Sequence, residues 1–238
     1  MFIIRRKNDR GLTETSWLQS RHSFSFGQYY DQAHMGFGPL RVINEDWVAP
    51  ESGFDTHGHK NMEIITYVLE GTLTHKDSTD KNSTGKIITP GEVQVMSAGK
   101  GVLHSEVNDS PTDLVHLLQI WIMPDVTDTP PGYQQKFFPP EELRNSFRLL
   151  VSKDGQNGSL AMKQDARLSA ARIDDGKTLH FPAESTRLYW LQIARGTLDF
   201  QGQTFEAGDG LAIEKEQGML ALTAKSAHAE VLLFDLPQ

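Results

Sequence analysis

Two pairs of polar residues carry the clearest chemistry in this sequence. His57 and His59 are two residues apart, and His104 and Glu106 repeat that spacing with a carboxylate in second place. On a β-strand, side chains at i and i+2 lie on one face, about 6.6 Å apart along the chain. If the two pairs lie on adjacent strands, three imidazole nitrogens and one carboxylate oxygen can converge on a single metal ion.

The identity of the fourth ligand is open at this point. Glu63 has the same strand parity as His57 and His59, so spacing alone does not choose between Glu63 and Glu106. A single His-x-His pair is often a solvated turn, and it is the second pair in the same chain that favours a metal site. Imidazole and carboxylate ligands suit Fe, Mn, Ni, Cu or Zn, and a six-coordinate ion keeps positions open for substrate or water.

Composition excludes several classes of protein. The chain has 238 residues and no cysteine, which rules out disulfide scaffolds, iron–sulfur clusters, thiolate zinc sites and cysteine nucleophiles. With 23 Lys and Arg against 31 Asp and Glu, the net charge of −8 argues against direct binding of nucleic acid. The densest apolar run, residues 114–123, is too short to span a bilayer, and the N-terminus lacks an apolar stretch of signal-peptide length. We therefore expect a cytoplasmic protein without membrane contact.

The elements that must position these residues are short strands. Runs of β-branched and aromatic residues, bounded by Gly, Pro, Asp and Asn, predict strands at residues 64–69, 92–96, 115–123, 189–194, 210–213 and 230–234. A helix is expected only near residues 141–145, after two prolines, and in a few isolated turns. Many short strands with few short helices predict an all-β protein built as a sandwich or barrel.

The two halves of the chain resemble each other. Residues 67–73 match residues 192–198 as a strand, a turn glycine and Thr-Leu, and a Pro-Gly-Glu turn at 90–92 corresponds to Ala-Gly-Asp at 207–209. This order predicts an internal duplication. Five of the seventeen residues from 124 to 140 are proline, which favours an extended connector. The predicted division is a metal-binding domain at 1–125, a connector at 126–140 and a metal-free domain at 141–238.

Longer motifs around these residues resemble known families. Two stretches are similar to the paired motifs of cupins, namely Gly53-x3-His57-x-His59-x3-Glu63-x7-Gly71 and Gly99-x4-His104-x3-Asn108. Ser97 stands where many cupins have proline, and two additional residues precede the second motif's histidine. More specifically, residues 22–26, 36–42, 66–71, 97–99, 104–106 and 232–237 resemble the pirin family, in the bacterial branch that includes quercetin 2,3-dioxygenases.

The resemblance implies a bicupin, with two jelly-roll β-barrels and one divalent transition metal ion in the N-terminal barrel. That ion is usually Fe(II), with Cu, Ni, Mn, Co and Zn as alternatives. Pirin ligands fall at His57, His59, His104 and Glu106, which leaves Glu63 as a residue of the pocket or a neighbour of a ligand. When the second half of the sequence is aligned with the first at their turn glycines, no set of chelating residues stands opposite these ligand positions. For example, Ala221 and Thr223 stand opposite His104 and Glu106.

The implied activity is the opening of a flavonol such as quercetin by dioxygen with release of carbon monoxide. Glu106 would serve both as a metal ligand and as the catalytic base that takes the proton of the 3-hydroxyl group. The alternatives are a non-enzymatic, redox-sensing or regulatory metal protein that acts through a protein partner, and a cupin isomerase with a small polar substrate.

His75 is not part of this predicted site. It follows the turn at Gly71 and precedes Lys76 and Asp77. This context predicts an exposed strand end, with a place at the rim of the pocket as the alternative.

Overall fold

The regular structure consists of strands with very little helix. Up to residue 137 the strands are β1 (Phe2–Arg5), β2 (Gly11–Glu14), β3 (Leu18–His22), β4 (Leu40–Val48), β5 (Ser52–His59), β6 (Glu63–Glu70), β7 (Leu73–Asp77), β8 (Lys86–Ile88), β9 (Glu92–Ser97), β10 (Val102–Asn108), β11 (Val115–Ile122) and β12 (Gly132–Phe137). After the helix α1 (Pro140–Leu143) the strands are β13 (Arg148–Ser152), β14 (Leu160–Ala161), β15 (Arg167–Ile173), β16 (Thr178–Ala183), β17 (Arg187–Arg195), β18 (Thr197–Phe200), β19 (Gln203–Glu206), β20 (Gly210–Glu214), β21 (Gly218–Ala224) and β22 (Ala229–Pro237).

This computed structural model describes residues 1–80 and 85–238. Within them, the six predicted strands and the short helix after the prolines are all present. Two 3-10 turns, Lys7–Asp9 and Gln156–Gly158, complete the helical content. Across the described ranges, no helix has the length and apolarity needed to cross a membrane.

The chain divides into two compact units. The N-terminal unit contains Gly11–Phe137 and Leu160–Gln164, and the C-terminal unit contains Met1–Arg10, Phe138–Ser159 and Asp165–Gln238. The predicted limits of 1–125, 126–140 and 141–238 differ from this division at three places, one of which is Leu160–Gln164, predicted in the metal-free domain but part of the N-terminal unit. The first ten residues belong to the C-terminal unit, because β1 pairs with β20 there. Part of the predicted connector is a strand of the N-terminal unit.

That strand, β12, shows how a proline-rich segment enters a sheet. Prolines 130 and 131 precede it and prolines 139 and 140 follow it, but none lies between Gly132 and Phe137. The strand pairs with β9 at the edge of its sheet. An edge strand needs a ladder on one side only, so prolines at its two ends interrupt no hydrogen bond of the sheet.

Both units repeat one topology. In the N-terminal unit the sheets have the orders β12-β9-β6-β11-β4-β3-β2 and β5-β10-β7-β8. In the C-terminal unit the corresponding orders are β1-β20-β17-β22-β15-β13 and β16-β21-β18-β19. Each large sheet and its four-stranded partner form a cupin-like barrel, so the fold is an all-β bicupin, as the sequence predicted. The repeated strand order is the arrangement expected from the predicted duplication.

A turn glycine gives the two barrels a common reference point. Gly71, between β6 and β7, has φ +74°, and Gly196, between β17 and β18, has φ +70°. At Gly71 a Cβ atom would lie 2.4 Å from the carbonyl oxygen of Leu114, and at Gly196 it would lie 2.6 Å from the Ser226 hydroxyl. Both the positive φ and the close approach require glycine. Positions can therefore be matched between barrels by counting from these turns and following the strand pairing.

Candidate metal centre

Strands β5 and β10 place the two predicted pairs side by side. The strands run antiparallel, with His57 opposite His104 and Val102 opposite His59. Between His104 and Glu106 the register shifts, so that Glu106 lies opposite Phe54. An irregularity of this kind is a β-bulge, which redirects side chains and is common beside functional sites. The i,i+2 spacing that suggested the site therefore lies on neighbouring strands, as expected.

Three imidazoles form the outer part of the site. The ring centroids of His57, His59 and His104 lie 4.3–4.8 Å from one another. A ligand nitrogen from each belongs to one group whose atoms all lie within 4.8 Å. The Nε2 atoms of His57 and His104 are 3.0 Å apart. Two ligands at right angles on one ion, each with a bond of about 2.1 Å, have a separation of about 3.0 Å.

The protonation of these imidazoles suits metal binding. His57 Nδ1 lies 2.8 Å from the carbonyl oxygen of Asp55, to which it donates, so its Nε2 lone pair faces His104. Burial lowers the pKa of His104 to about 4, against the opposing charge of Glu106, and burial and His57 lower the pKa of His59. Both rings are thus neutral at pH 7, which is the form that binds metals.

His104 is the most buried of the three imidazoles. Its side chain is 2% exposed, and its buried Nδ1 has no hydrogen-bond partner in the part of the chain that the structure describes. The ion would bind the other ring nitrogen, Nε2, which faces Nε2 of His57, so the orphaned Nδ1 does not itself mark the position of the metal. The neutral donor set and the 3.0 Å separation of the two Nε2 atoms fit one transition metal ion.

Glu106 is the buried carboxylate of the site. Its two oxygens accept hydrogen bonds from Gln119 Nε2 at 3.0 and 2.8 Å, and the Thr66 hydroxyl donates to Gln119 Oε1 at 3.0 Å. Burial favours a raised pKa for Glu106, but His75, His104 and the Gln119 amide outweigh it and lower the pKa to about 2. Glu106 is therefore an anion, with an orientation fixed by residues of β6 and β11. No sequence pattern indicated the roles of Thr66 and Gln119.

His75 contradicts its sequence-based prediction. It is 1% exposed and lies in the middle of β7, which pairs with β10 so that His75 is opposite Glu106. His75, His104 and Glu106 form a second group of ligand atoms within 4.8 Å of one another. The prediction of an exposed strand end was wrong because β7 lies between β10 and β8. The available signal was that His75 and Asp77 are a third i,i+2 polar pair.

Glu63 lies apart from both groups of ligand atoms that the described residues form. It is 1% exposed, and the Ser97 hydroxyl donates to its Oε2 at 2.7 Å. Burial raises the pKa of Glu63. The carboxylate of Glu106, and not that of Glu63, is the one grouped with a histidine of the predicted ligand set.

The C-terminal barrel has apolar side chains at the corresponding positions. Counting from the turn glycines and following the strand pairs matches His57, His59, His75, His104 and Glu106 with Phe181, Ala183, Phe200, Leu220 and Leu222. The sequence alignment was displaced by one residue, since it matched Ala221 and Thr223 with His104 and Glu106. A displacement of one residue exchanges the two faces of a strand. All five counterparts lie in one hydrophobic cluster, so this barrel holds no corresponding set of ligands among its described residues.

Aromatic side chains surround the histidines. The Trp121 ring lies 4.8 Å from that of His59 and 5.3 Å from that of Phe26, and the Phe54 ring lies 6.4 Å from that of His57. The buried indole Nε1 of Trp121 has no hydrogen-bond partner within the described ranges. A buried indole N–H usually has an acceptor, so the unpaired donor of Trp121 is an exception.

Similarity to known proteins covers the whole chain. The Pirin family profile matches residues 5–122, and that of the quercetinase C-terminal cupin domain matches residues 149–236. The chain is 44% identical over 238 residues to the quercetin 2,3-dioxygenase of Escherichia coli K12, covering 100% of this chain and 99% of that protein. The structure of the bacterial pirin YhhW from Escherichia coli in complex with nickel(II) has a TM-score of 0.92 and 41% identity, with 100% and 99% of the two chains covered. This chain therefore belongs to the pirin family.

Proposed function

We propose that this protein is a metal-dependent dioxygenase that opens flavonols such as quercetin and releases carbon monoxide. The observation that carries the proposal is a buried histidine–carboxylate cluster in a chain 44% identical, over its full length, to a quercetin 2,3-dioxygenase. His57, His59, His104 and Glu106 would hold one divalent ion, with Fe(II) as the first choice. The related YhhW protein has been crystallised with nickel(II), so nickel is a second choice for testing.

The ion, when bound, would supply Lewis acidity and a fixed point for the substrate. The protein's own part begins with Glu106, whose carboxylate would accept the proton of the flavonol 3-hydroxyl. Because its pKa is about 2, Glu106 is a weak base, and the transfer depends on a hydroxyl group that is acidified where it binds. Gln119 would keep the carboxylate in place during the transfer, since it contacts both oxygens.

The surroundings of the histidines suit a planar aromatic substrate. Phe54 lies near His57, and Trp121 and Phe26 lie beside His59. Flat rings of this kind pack against a flavonol and exclude water from the reacting groups.

The test is oxygen uptake by metal-loaded protein with quercetin, together with loss of quercetin absorbance and detection of carbon monoxide. Luteolin, the analogue without the 3-hydroxyl group, is the control substrate. We expect uptake with quercetin and none with luteolin, because only quercetin has the proton that Glu106 accepts. Equal rates with both would contradict the role of the 3-hydroxyl. No uptake with any flavonol would reject the dioxygenase and favour the regulatory alternative.

A further inference from the structure

A third residue flanks Glu106, in addition to Gln119 and Thr66. His75 lies opposite Glu106 in the pairing of β7 with β10, and its Nδ1 is 3.9 Å from Glu106 Oε1. This distance is longer than a hydrogen bond, so the two groups are neighbours without a direct hydrogen bond between them. Both side chains are buried, at 1% and 3% exposure.

Both nitrogens of the His75 ring are held by neighbours. Nε2 lies 3.1 Å from Asp77 Oδ2, and Nδ1 lies 3.2 Å from Gln94 Nε2. Asp77 is itself fixed, because it accepts hydrogen bonds from the backbone N–H of Thr79, at 2.7 Å, and from the Thr79 hydroxyl. The ring orientation of His75 is therefore determined by two strands and a turn.

The faces of the ring are packed as well. The His75 ring lies 5.1 Å from the ring of His104 and 5.0 Å from that of Tyr133. On Tyr133, the ammonium group of Lys86 lies 3.6 Å from the ring centroid. His75 thus contacts two of the proposed ligands, His104 through its ring and Glu106 through its Nδ1 edge, while other residues hold it in place.

We propose that His75, held by Asp77, is a positioning residue that keeps His104 and Glu106 in the arrangement that binds the metal ion. The inference rests on the proposed assignment of those two residues as ligands. The C-terminal barrel supports it, because Phe200 stands at the matching position in a hydrophobic cluster. An aromatic ring without nitrogen atoms is therefore enough to fill this position in the barrel. We accordingly attribute the role of His75 at the site to its two ring nitrogens. Residues that orient metal ligands typically affect metal affinity 10–100-fold when they are changed.

The decisive variant is His75→Phe, which keeps the ring and removes both nitrogens. His116→Phe is the matched control, because His116 in the same unit also pairs with a carboxylate, Glu45 at 2.9 Å, and stacks on Trp47. The measurements are the Kd for Ni²⁺, by chelator competition on protein stripped of metal, and the visible spectrum of the Co²⁺-loaded protein. We expect His75→Phe to weaken Ni²⁺ binding about 10–100-fold and to change the Co²⁺ spectrum, while His116→Phe changes neither.

Three results would overturn parts of this account separately. If His75→Phe binds Ni²⁺ as His116→Phe does, while Glu106→Ala binds it weakly, the positioning role is wrong and the ligand assignment stands. If Glu106→Ala also binds Ni²⁺ normally, the ligand assignment in the proposed function fails. If X-ray absorption of the Ni²⁺ protein counts one imidazole fewer in His75→Phe than in the wild type, His75 is itself a ligand. Should His75→Phe not fold, Asp77→Asn replaces it, with a smaller weakening expected and the same Kd as wild type overturning the proposal.

Discussion

In the N-terminal barrel, strands β5, β7 and β10 bring together three imidazoles, a carboxylate and the supporting His75, whereas β16, β18 and β21 bring only apolar side chains to the same places in the C-terminal barrel. The difference extends to the supporting strands. Strand pairing matches Asp46, Thr66, Gln94 and Gln119 with Ala171, Leu191, Leu211 and Leu233, all of them in the same hydrophobic cluster.

This comparison shows that the candidate ligands and the polar residues that contact them are replaced together in the C-terminal barrel. A buried polar group is costly unless its partners are present, and a partly satisfied network is less favourable than an apolar core. Without the ligands, Gln119 and Thr66 would have no carboxylate to orient. The C-terminal barrel has instead the close apolar packing that is usual in protein interiors. The same barrel topology can therefore hold a metal centre or serve as a scaffold, depending on whether polar or apolar side chains fill its interior.

The largest effect is expected on metal content, from removing His57 and His59 together. In His57→Ala combined with His59→Ala, two of three imidazoles of the outer group are lost. Metal content, measured by elemental analysis after reconstitution, should fall from about one ion per chain to near zero. The control is His180→Ala in β16, the strand that corresponds to β5, and it should retain the full content. Full retention in the double variant would place the metal elsewhere.

A large effect on turnover is expected from Glu106→Gln. The new amide cannot accept a proton as the carboxylate does, and its NH₂ group conflicts with the Gln119 amide that now donates to both oxygens. Turnover of quercetin, with wild type and variant compared at equal metal content, should fall by a factor of at least about 10². Glu63→Gln is the matched control, a buried carboxylate outside the ligand groups, and should fall far less. A similar loss in both variants would argue against a specific role for Glu106.

The C-terminal barrel should show the opposite behaviour. Leu222→Ala, at the position that corresponds to Glu106, leaves a cavity in the hydrophobic cluster. We expect the free energy of unfolding to fall by about 2–5 kcal/mol, with no change in metal content. On the same strand, Met219 is 63% exposed, so Met219→Ala should change the stability by less than about 0.5 kcal/mol. Loss of metal from folded Leu222→Ala protein would mean that the second barrel takes part in the site.

A smaller, pH-dependent effect is expected at Asp46, the counterpart of Ala171. Asp46 is 3% exposed, and its Oδ1 is buried without a hydrogen-bond partner in the ranges described. Burial, together with the charges of Glu106 and Glu45, raises the pKa of Asp46 from 3.8 to about 7. The folded protein therefore keeps a proton that the unfolded chain releases, and this contribution to stability is lost as the pH rises from about 4 to about 7.

Asp46→Asn should accordingly be more stable than the wild type at pH 8 and similar to it near pH 4. The gain is bounded by about 4 kcal/mol, the free energy of a shift of about three pKa units. The measurement is urea unfolding of metal-free protein at both pH values. A stability difference independent of pH would show that Asp46 does not titrate in this way.

Much of the N-terminal barrel could be predicted from the sequence, because the patterns that indicate it are local. The i,i+2 pairs containing His57 and His104 require only strand periodicity, and the turn at Gly71 marks the start of a hairpin. What could not be predicted depends on which strands are neighbours. His75 became part of the site because β7 pairs with β10. Gln119 reaches Glu106 from β11, and no spacing in the sequence connects them.

The second barrel shows another limit of the sequence. The prediction that it lacks ligands needed only the absence of histidine pairs from this half of the sequence. The matching of individual residues was displaced by one, because loops of different length separate the turn glycine from the strands on either side. Strand pairing resolves that displacement, since Leu222 lies opposite Phe200 as Glu106 lies opposite His75.

We propose that one metal ion binds this chain, in the N-terminal barrel, through His57, His59, His104 and Glu106. The most direct test of this proposal is anomalous diffraction at the nickel absorption edge from crystals of the Ni²⁺-loaded protein. We predict one strong peak per chain, within about 2.0–2.2 Å of the three imidazole nitrogens and a Glu106 oxygen, and none in the C-terminal barrel. A nickel ion bound by Glu63, with Glu106 turned away from it, would contradict this assignment. A second nickel peak near Phe181 and Leu222 would also contradict it.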